Sequence, residues 1–161
     1  MSVVRAVFKS WVAPRVVMRG WLAGGAREDR ALAVLMAAAL LLFVAQWPSL
    51  ARQAHLDPSV PLAARLAGAG LACLFILPLL AYAIAGLTRL LARGFRGRGS
   101  GFGARMALFW SLLAVSPAML LQGLVGGFLG QGPALALVWV AVFGGFLWLW
   151  GNALLVAEGW R

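Results

Sequence analysis

Residues 31–50 read ALAVLMAAALLLFVAQWPSL, a run without one ionisable side chain. A transmembrane helix needs about 20 mostly apolar residues to cross roughly 30 Å of hydrocarbon, so this stretch by itself predicts a span. Three further stretches qualify, at 66–91, 106–130 and 133–156. The second of them is long enough to tilt or to continue beyond the hydrocarbon.

The basic residues fall between these runs in bands. Fourteen face four acidic residues, a formal net charge of +10. Arg5, Lys9, Arg15, Arg19, Arg27 and Arg30 precede the first span, and Arg89, Arg93, Arg96, Arg98 and Arg105 mark the second loop. The first loop has only Arg52 and Arg65, and the third, around Gln131, has no charge. Short loops rich in Lys and Arg stay cytoplasmic, so the banding predicts four spans with both termini inside. A nucleic-acid binder would carry such charge on a soluble surface, but 63% of these residues are hydrophobic and 11% charged. No nucleic-acid partner is therefore expected. The expected fold is all-α: a polytopic transmembrane helix bundle with an N-terminal interfacial amphipathic helix, divided into a leader over 1–26 and a bundle over 27–161.

The leader does not read as a signal peptide, because Arg15 and Arg19 interrupt the apolar run a signal needs. On a continuous helix at about 100° per residue, Arg5, Lys9, Arg15 and Arg19 share one arc, with Val3, Val7, Trp11, Met18 and Trp21 opposite. That pattern predicts an interfacial helix, with Trp11 and Trp21 at headgroup depth. Phe8, Val12 and Val16 intrude on the polar arc, and Pro14 is placed to end one short helix and begin another. The plain alternative is a partly disordered basic leader. Between residues 94 and 103 the chain reads GFRGRGSGFG. It lacks the lysine and flanking strand of a phosphate loop, so the expectation is a flexible connection whose Arg93, Arg96 and Arg98 meet anionic headgroups. Ser100 is positioned to cap the following helix.

Ionisable groups inside spans mark ion paths and proton relays, and the central turns of these four spans have none. His55, beside Asp57 and Pro58, reads as a surface residue, and Cys73 as a small buried hydrophobe. No nucleophile has a visible base and no carboxylate pair stands ready for acid–base work. No enzyme, cofactor, metal or catalytic residue is expected. The spans do hold small residues four apart, Ala64 and Gly68, Gly123 and Gly127, Gly126 and Gly130, which let helix backbones approach closely within or between chains. Gln46, Ser111, Ser116, Gln122 and Asn152 can hydrogen-bond across helices, and Pro48, Pro78 and Pro117 are expected to bend theirs.

Three features together resemble the Yip-one (Ypt-interacting protein) domain family, in its bacterial branch. They are Pro14-Arg15-Val16-Val17-Met18-Arg19 in the leader, the basic second loop, and Ala104-Arg105-Met106-Ala107-Leu108-Phe109-Trp110-Ser111 ahead of Ser116-Pro117. The resemblance runs from Pro14 to Gly130. It implies a polytopic helical membrane protein; eukaryotic members act in vesicle traffic with small GTPases, a role not carried over to a bacterial setting. Members commonly have five spans, against four here.

Thirteen arginines to one lysine, with abundant Ala, Gly and Leu, point to a GC-rich bacterial genome, and the reading of no targeting signal beyond the spans suits the cytoplasmic (inner) membrane. The expected role is a non-enzymatic accessory or scaffold subunit of a larger membrane protein complex. Its partners would be other integral membrane proteins and anionic phospholipids. The sites would be Lys9, Arg15, Arg19, Trp11, Trp21, Arg93, Arg96 and Arg98 for headgroups or partners, and Gly123, Gly127 and Gly130 for helix packing. A lipid-organising role is a further possibility. The alternative from another class is a small channel or transporter for an uncharged solute, which requires Gln46, Gln122 and Asn152 to face one cavity.

Overall fold

Four long helical stretches occupy the four predicted spans in a computed structural model that describes residues 2–160. Residues 1 and 161, the outer ends of the two expected segments, lie outside the described residues. Two short helices come first, α1 (Val3–Val12) and α2 (Pro14–Ala23). The long stretches are α3 (Glu28–Leu56); α4 (Leu62–Leu71), a π-helical turn over Ala72–Ile76 and α5 (Leu77–Gly94), which run on as one rod; α6 (Gly101–Phe128); and α7 (Pro133–Glu158). By length and composition each stretch suffices to cross a bilayer. The described residues contain no strand. The protein is an all-α multi-pass membrane protein.

The helices outrun the predicted spans at most ends because caps, not polarity, stop them. Glu28 and Asp29 sit in the first turn of α3, where the helix dipole favours carboxylates. The Ser100 hydroxyl accepts from Gly103 N–H at 3.0 Å and caps α6. Pro133 opens α7, and Gly159, at φ 73°, closes it while Trp160 N–H returns to the Leu155 carbonyl at 2.9 Å. The third span is the exception: expected to reach residue 130, α6 stops at Phe128, and Gly130 turns the chain at φ 73°.

α6 is the core element, with almost every residue from Phe102 to Ser116 buried, and α3 is its most extensive neighbour. At one end large side chains fill the contact: Phe109, Met106, Leu35 and, from α2, Met18 are fully buried. Tyr82 meets Phe109 edge-on with ring centroids 5.0 Å apart. At the other end α6 narrows to glycine. Gly123 lies on the Ala45 backbone, Gly126 against Ser49 and Gly127 against Pro48. A Cβ at Gly123 would fall on the Ala45 carbonyl, so this approach admits only glycine.

The prolines are accommodated locally. Pro117 cannot donate to the Leu113 carbonyl, and the Ser116 hydroxyl does so instead at 2.8 Å. Ahead of Pro78 the chain widens into the π turn, in which Leu77 N–H reaches back to the Ala72 carbonyl. Pro48 is part of the glycine seam itself.

Gly123→Ala should lower the Tm in detergent by the equivalent of about 1–3 kcal/mol, the usual cost of overpacking. Gly144→Ala, on α7 with open space around it, should be neutral or gain about 0.5–1 kcal/mol from helix propensity. Equal responses at the two positions would contradict the seam.

Candidate functional site

The leader breaks at Ala13, whose φ of −137° and ψ of 61° interrupt the helix before Pro14 starts α2. The break lets both halves turn an apolar side inward: Ala6, Val7 and Ser10 of α1 and Pro14, Val17 and Met18 of α2 are buried. They pack on each other and on α6, and α2 also packs on α7.

The two leader tryptophans are bundle contacts. Trp11 donates its indole N–H to the Ala114 carbonyl at 3.0 Å, midway along the 28 residues of α6. Its ring covers Gly145, where a Cβ would come within 2.7 Å of the indole. Trp21 tilts against Trp110 with ring centroids 4.8 Å apart, beneath the Arg30 guanidinium, 4.7 Å from the Trp21 ring centre. Trp110 in turn donates to the Ser10 hydroxyl at 2.9 Å, and Ser10 to the Ala6 carbonyl at 2.8 Å. Residue Ala114 lies about 20 Å along α6 from its first residue at 1.5 Å per residue, so α1 enters the bundle rather than resting on its rim.

The leader cations stay exposed. Lys9 lines a cavity of about 520 Å³ with Arg30 and Trp21. Arg15 and Arg19 line another of about 490 Å³, floored by Leu22, Val156 and Trp160. Arg15 is aimed by Asn152, whose Oδ1 accepts from its Nε at 2.8 Å while Asn152 Nδ2 donates to the Trp148 carbonyl. Its two terminal nitrogens are left for a ligand.

At the same rim the glycine-rich loop closes over the end of α7. Glu158, with a fully enclosed side chain, accepts from Arg89 at 2.7 Å and from Gly99 N–H at 3.1 Å, and its carbonyl accepts from Arg98 N–H at 3.1 Å. A Cβ at Gly99 would sit 2.8 Å from the Glu158 carboxyl carbon. The glycines thus permit backbone contact with a buried acid, a role that reading the loop as a flexible connection misses. Arg93, Arg96 and Arg98 remain exposed, Arg96 in the left-handed region at φ 60°. Arg105 pairs with Glu28 across α6 and α3.

The far rim is fastened by arginines as well. Arg52 donates to the Phe128 carbonyl at 3.3 Å and to that of Gly127 at 3.5 Å, neutralising the end of α6. Gly130 lies against that guanidinium, outside any helix. Its expected place in a helix-packing face is thereby corrected: the chain has already left α6. Arg65 pairs with Asp57 at 3.0 Å and holds the Val60 carbonyl at 3.1 Å. The Asp57 carboxyl is held below its ordinary value by the Ser59 hydroxyl first, then by Ser59 N–H and Arg65.

Within the membrane, the buried Cys73 thiol receives Gln46 Nε2 at 2.8 Å. Gln46 and Gln122 line one cavity, but Asn152 is held by Arg15 at the leader end, so the three amides do not face a common path. No cluster of three His, Cys, Asp or Glu groups exists among the described residues. No family model matches the chain, and neither does any curated protein or solved structure.

Arg89→Leu would strand the buried Glu158 carboxylate. It should cost about 2–3 kcal/mol in denaturation in mixed micelles, below the full range for buried pairs because Arg89 keeps some exposure. Adding Glu158→Gln should recover part of the loss. The Asp57 contribution runs with pH. Its folded value lies below the ordinary 3.8, so its stabilisation is complete above that pH and is lost as pH falls through the folded value. Ser59→Ala should raise the pH at which the 57–61 loop becomes open to protease; an unchanged profile would assign the depression elsewhere.

Proposed function

We propose that the protein is a non-enzymatic accessory or scaffold subunit of a larger membrane protein complex, held in a bacterial cytoplasmic (inner) membrane with both termini cytoplasmic. The observation that carries this reading is the division of its surface. All four carboxylates are spent on arginines at the helix ends: Glu28 on Arg105, Asp29 on Arg27, Asp57 on Arg65 and Glu158 on Arg89. That leaves a surplus of exposed cations: Arg15, Arg19, Arg93, Arg96 and Arg98 at the rim where α7 ends, and Lys9 on α1. Such a rim suits anionic phospholipids, at about 1 kcal/mol for each basic group near the surface. Between the rims the long helices turn apolar side chains outward, among them Phe75 and Leu79 on the α4–α5 rod and Val140, Phe143 and Trp148 on α7. These faces suit the helices of other integral membrane proteins, with lipid as the default neighbour.

Membership of the bacterial branch of the Yip-one family belongs to the same proposal. Of the residues that carry the resemblance, Val17 and Met18 of α2 and most of the α6 stretch are buried, while Arg15 and Arg19, with Arg93, Arg96 and Arg98 of the second loop, are exposed. A resemblance carried by packing residues and surface cations supports an interaction protein better than a catalyst.

Gentle extraction, followed by native electrophoresis and mass spectrometry, should find the chain well above its 17.1 kDa with a reproducible membrane partner. Recovery only as a lone monomer sinks the scaffold reading. Deleting residues 2–22 should weaken retention of anionic lipid. Because that deletion also removes core residues, the triple change Lys9→Gln, Arg15→Gln and Arg19→Gln is the sharper test. It should cut phosphatidylglycerol retained through detergent exchange by roughly two orders of magnitude in affinity, three charges at about 1 kcal/mol each. Unchanged retention removes the leader from the lipid contact.

A further inference from the structure

In the half of the bundle away from the leader, α3, α6 and the start of α7 enclose an open-sided cavity of about 430 Å³. α3 lines it with Gln46, Ser49 and Gln53, spaced three and four residues apart and so stacked on one face of that helix. Gln122 of α6 and Gln131 of the loop before α7 join them. This is a concentration of neutral hydrogen-bonding groups in a region otherwise built of Leu, Met and Trp. It includes no ionisable side chain; the nearby Arg52 is engaged with the end of α6, and Arg65, which donates to Gln53 Oε1 at 3.4 Å, is paired with Asp57.

Amides at membrane depth need partners, and the two deepest here, Gln122 and Gln46, are under-supplied. Gln122 Oε1 is buried with no hydrogen-bond donor. Gln46 Nε2 rests on the Cys73 thiol, a weak acceptor. Gln122 lines the cavity, and rotation about its terminal torsion, which is soft, can turn Oε1 to the cavity wall. There the oxygen can accept from an occupant.

We propose that this cavity binds a neutral lipid with a free hydroxyl, of the diacylglycerol class. The chemistry selects it on three counts. Its hydroxyl supplies the donor that Gln122 Oε1 lacks, and its ester carbonyls accept from the amide N–H groups of the other glutamines. It brings no phosphate into a lining without a cation, where an ion would lose its hydration uncompensated. Its acyl chains can lie along Leu42, Met119 and Trp139 and leave through the open side. The site shares no residue with the leader cations, so it stands or falls independently of the scaffold reading.

The test uses the full chain in phosphatidylcholine nanodiscs with a photoreactive diacylglycerol. Labelling should map to residues 42–53, 119–123 or 131–139. Dioleoylglycerol should compete, but its acetylated form, which has lost the hydroxyl, should not. Gln122→Leu should weaken binding about tenfold, as expected for one net hydrogen bond in an apolar site. Gln53→Leu, at the exposed mouth of the cavity, should do the same without touching the packed core, losing only the 3.4 Å bond from Arg65, which Asp57 and the Val60 carbonyl still hold, and serves where Gln122→Leu fails to fold. Equal competition by the acetylated form or by phosphatidylglycerol, labelling outside these segments, or labelling indifferent to both substitutions overturns the proposal and leaves a water-filled crevice.

Discussion

The close passage of α6 across α3 at Gly123 and Ala45 is the constraint on which the other helices depend. Lipid tails are as apolar as leucine, so helices in a bilayer gain little by hiding apolar surface from lipid and must gain from fit. Three glycines of α6 supply that fit over about one and a half turns, and Ser49 adds a hydrogen bond to the Gly123 carbonyl at 3.4 Å. With the two axes brought together there, they enclose between their other halves the space that Phe109, Met106 and Leu35 fill. α7 then packs on α6, and the α4–α5 rod on both α3 and α6.

Polar contacts follow a complementary rule. The contacts of charged side chains are concentrated where water and headgroups can share them, at the two ends of the rods, and several tie elements distant in sequence: Arg105 to Glu28, Arg89 to Glu158, Arg52 to the α6 carbonyls. Glu158 is unfavourably placed at the C-terminal end of its own helix. The N–H groups preceding α6 and the Arg89 guanidinium offset that, which is why the loop must run so close to it. The interior contains amides and hydroxyls, most of them bonded to backbone carbonyls three or four residues back in their own helix.

Much of this architecture was legible in the residues. Apolar length gave four helices, Pro14 gave the break in the leader, and Ser100 announced its cap. Gly123 and Gly127 stood at a spacing that lets backbones meet. What escaped was whatever depended on partners far along the chain. The helical wheel put Trp11 and Trp21 on an apolar face but could not distinguish a face meant for headgroups from one meant for Gly145 and Trp110. The loop at 94–103 showed its glycines and not the acid they surround, because Glu158 belongs to another helix. The end of α6 was misplaced by two residues, since Gly130 continues a small-residue pattern that Arg52 brings to a close. The cavity glutamines were individually visible, but their convergence needed the crossing of α3 and α6.

The seating of Trp11 also sets an order of assembly. Its acceptor, Ala114, lies 103 residues downstream, and the glycine that admits its ring is further on, in α7. The leader is synthesised before α6 and α7 and has no berth until both have entered the membrane. Until then it must wait as a surface-bound amphipathic segment. Its docking therefore follows the insertion of α7, and a chain interrupted before that helix would display an unburied, cationic, tryptophan-bearing leader as a mark of incompleteness.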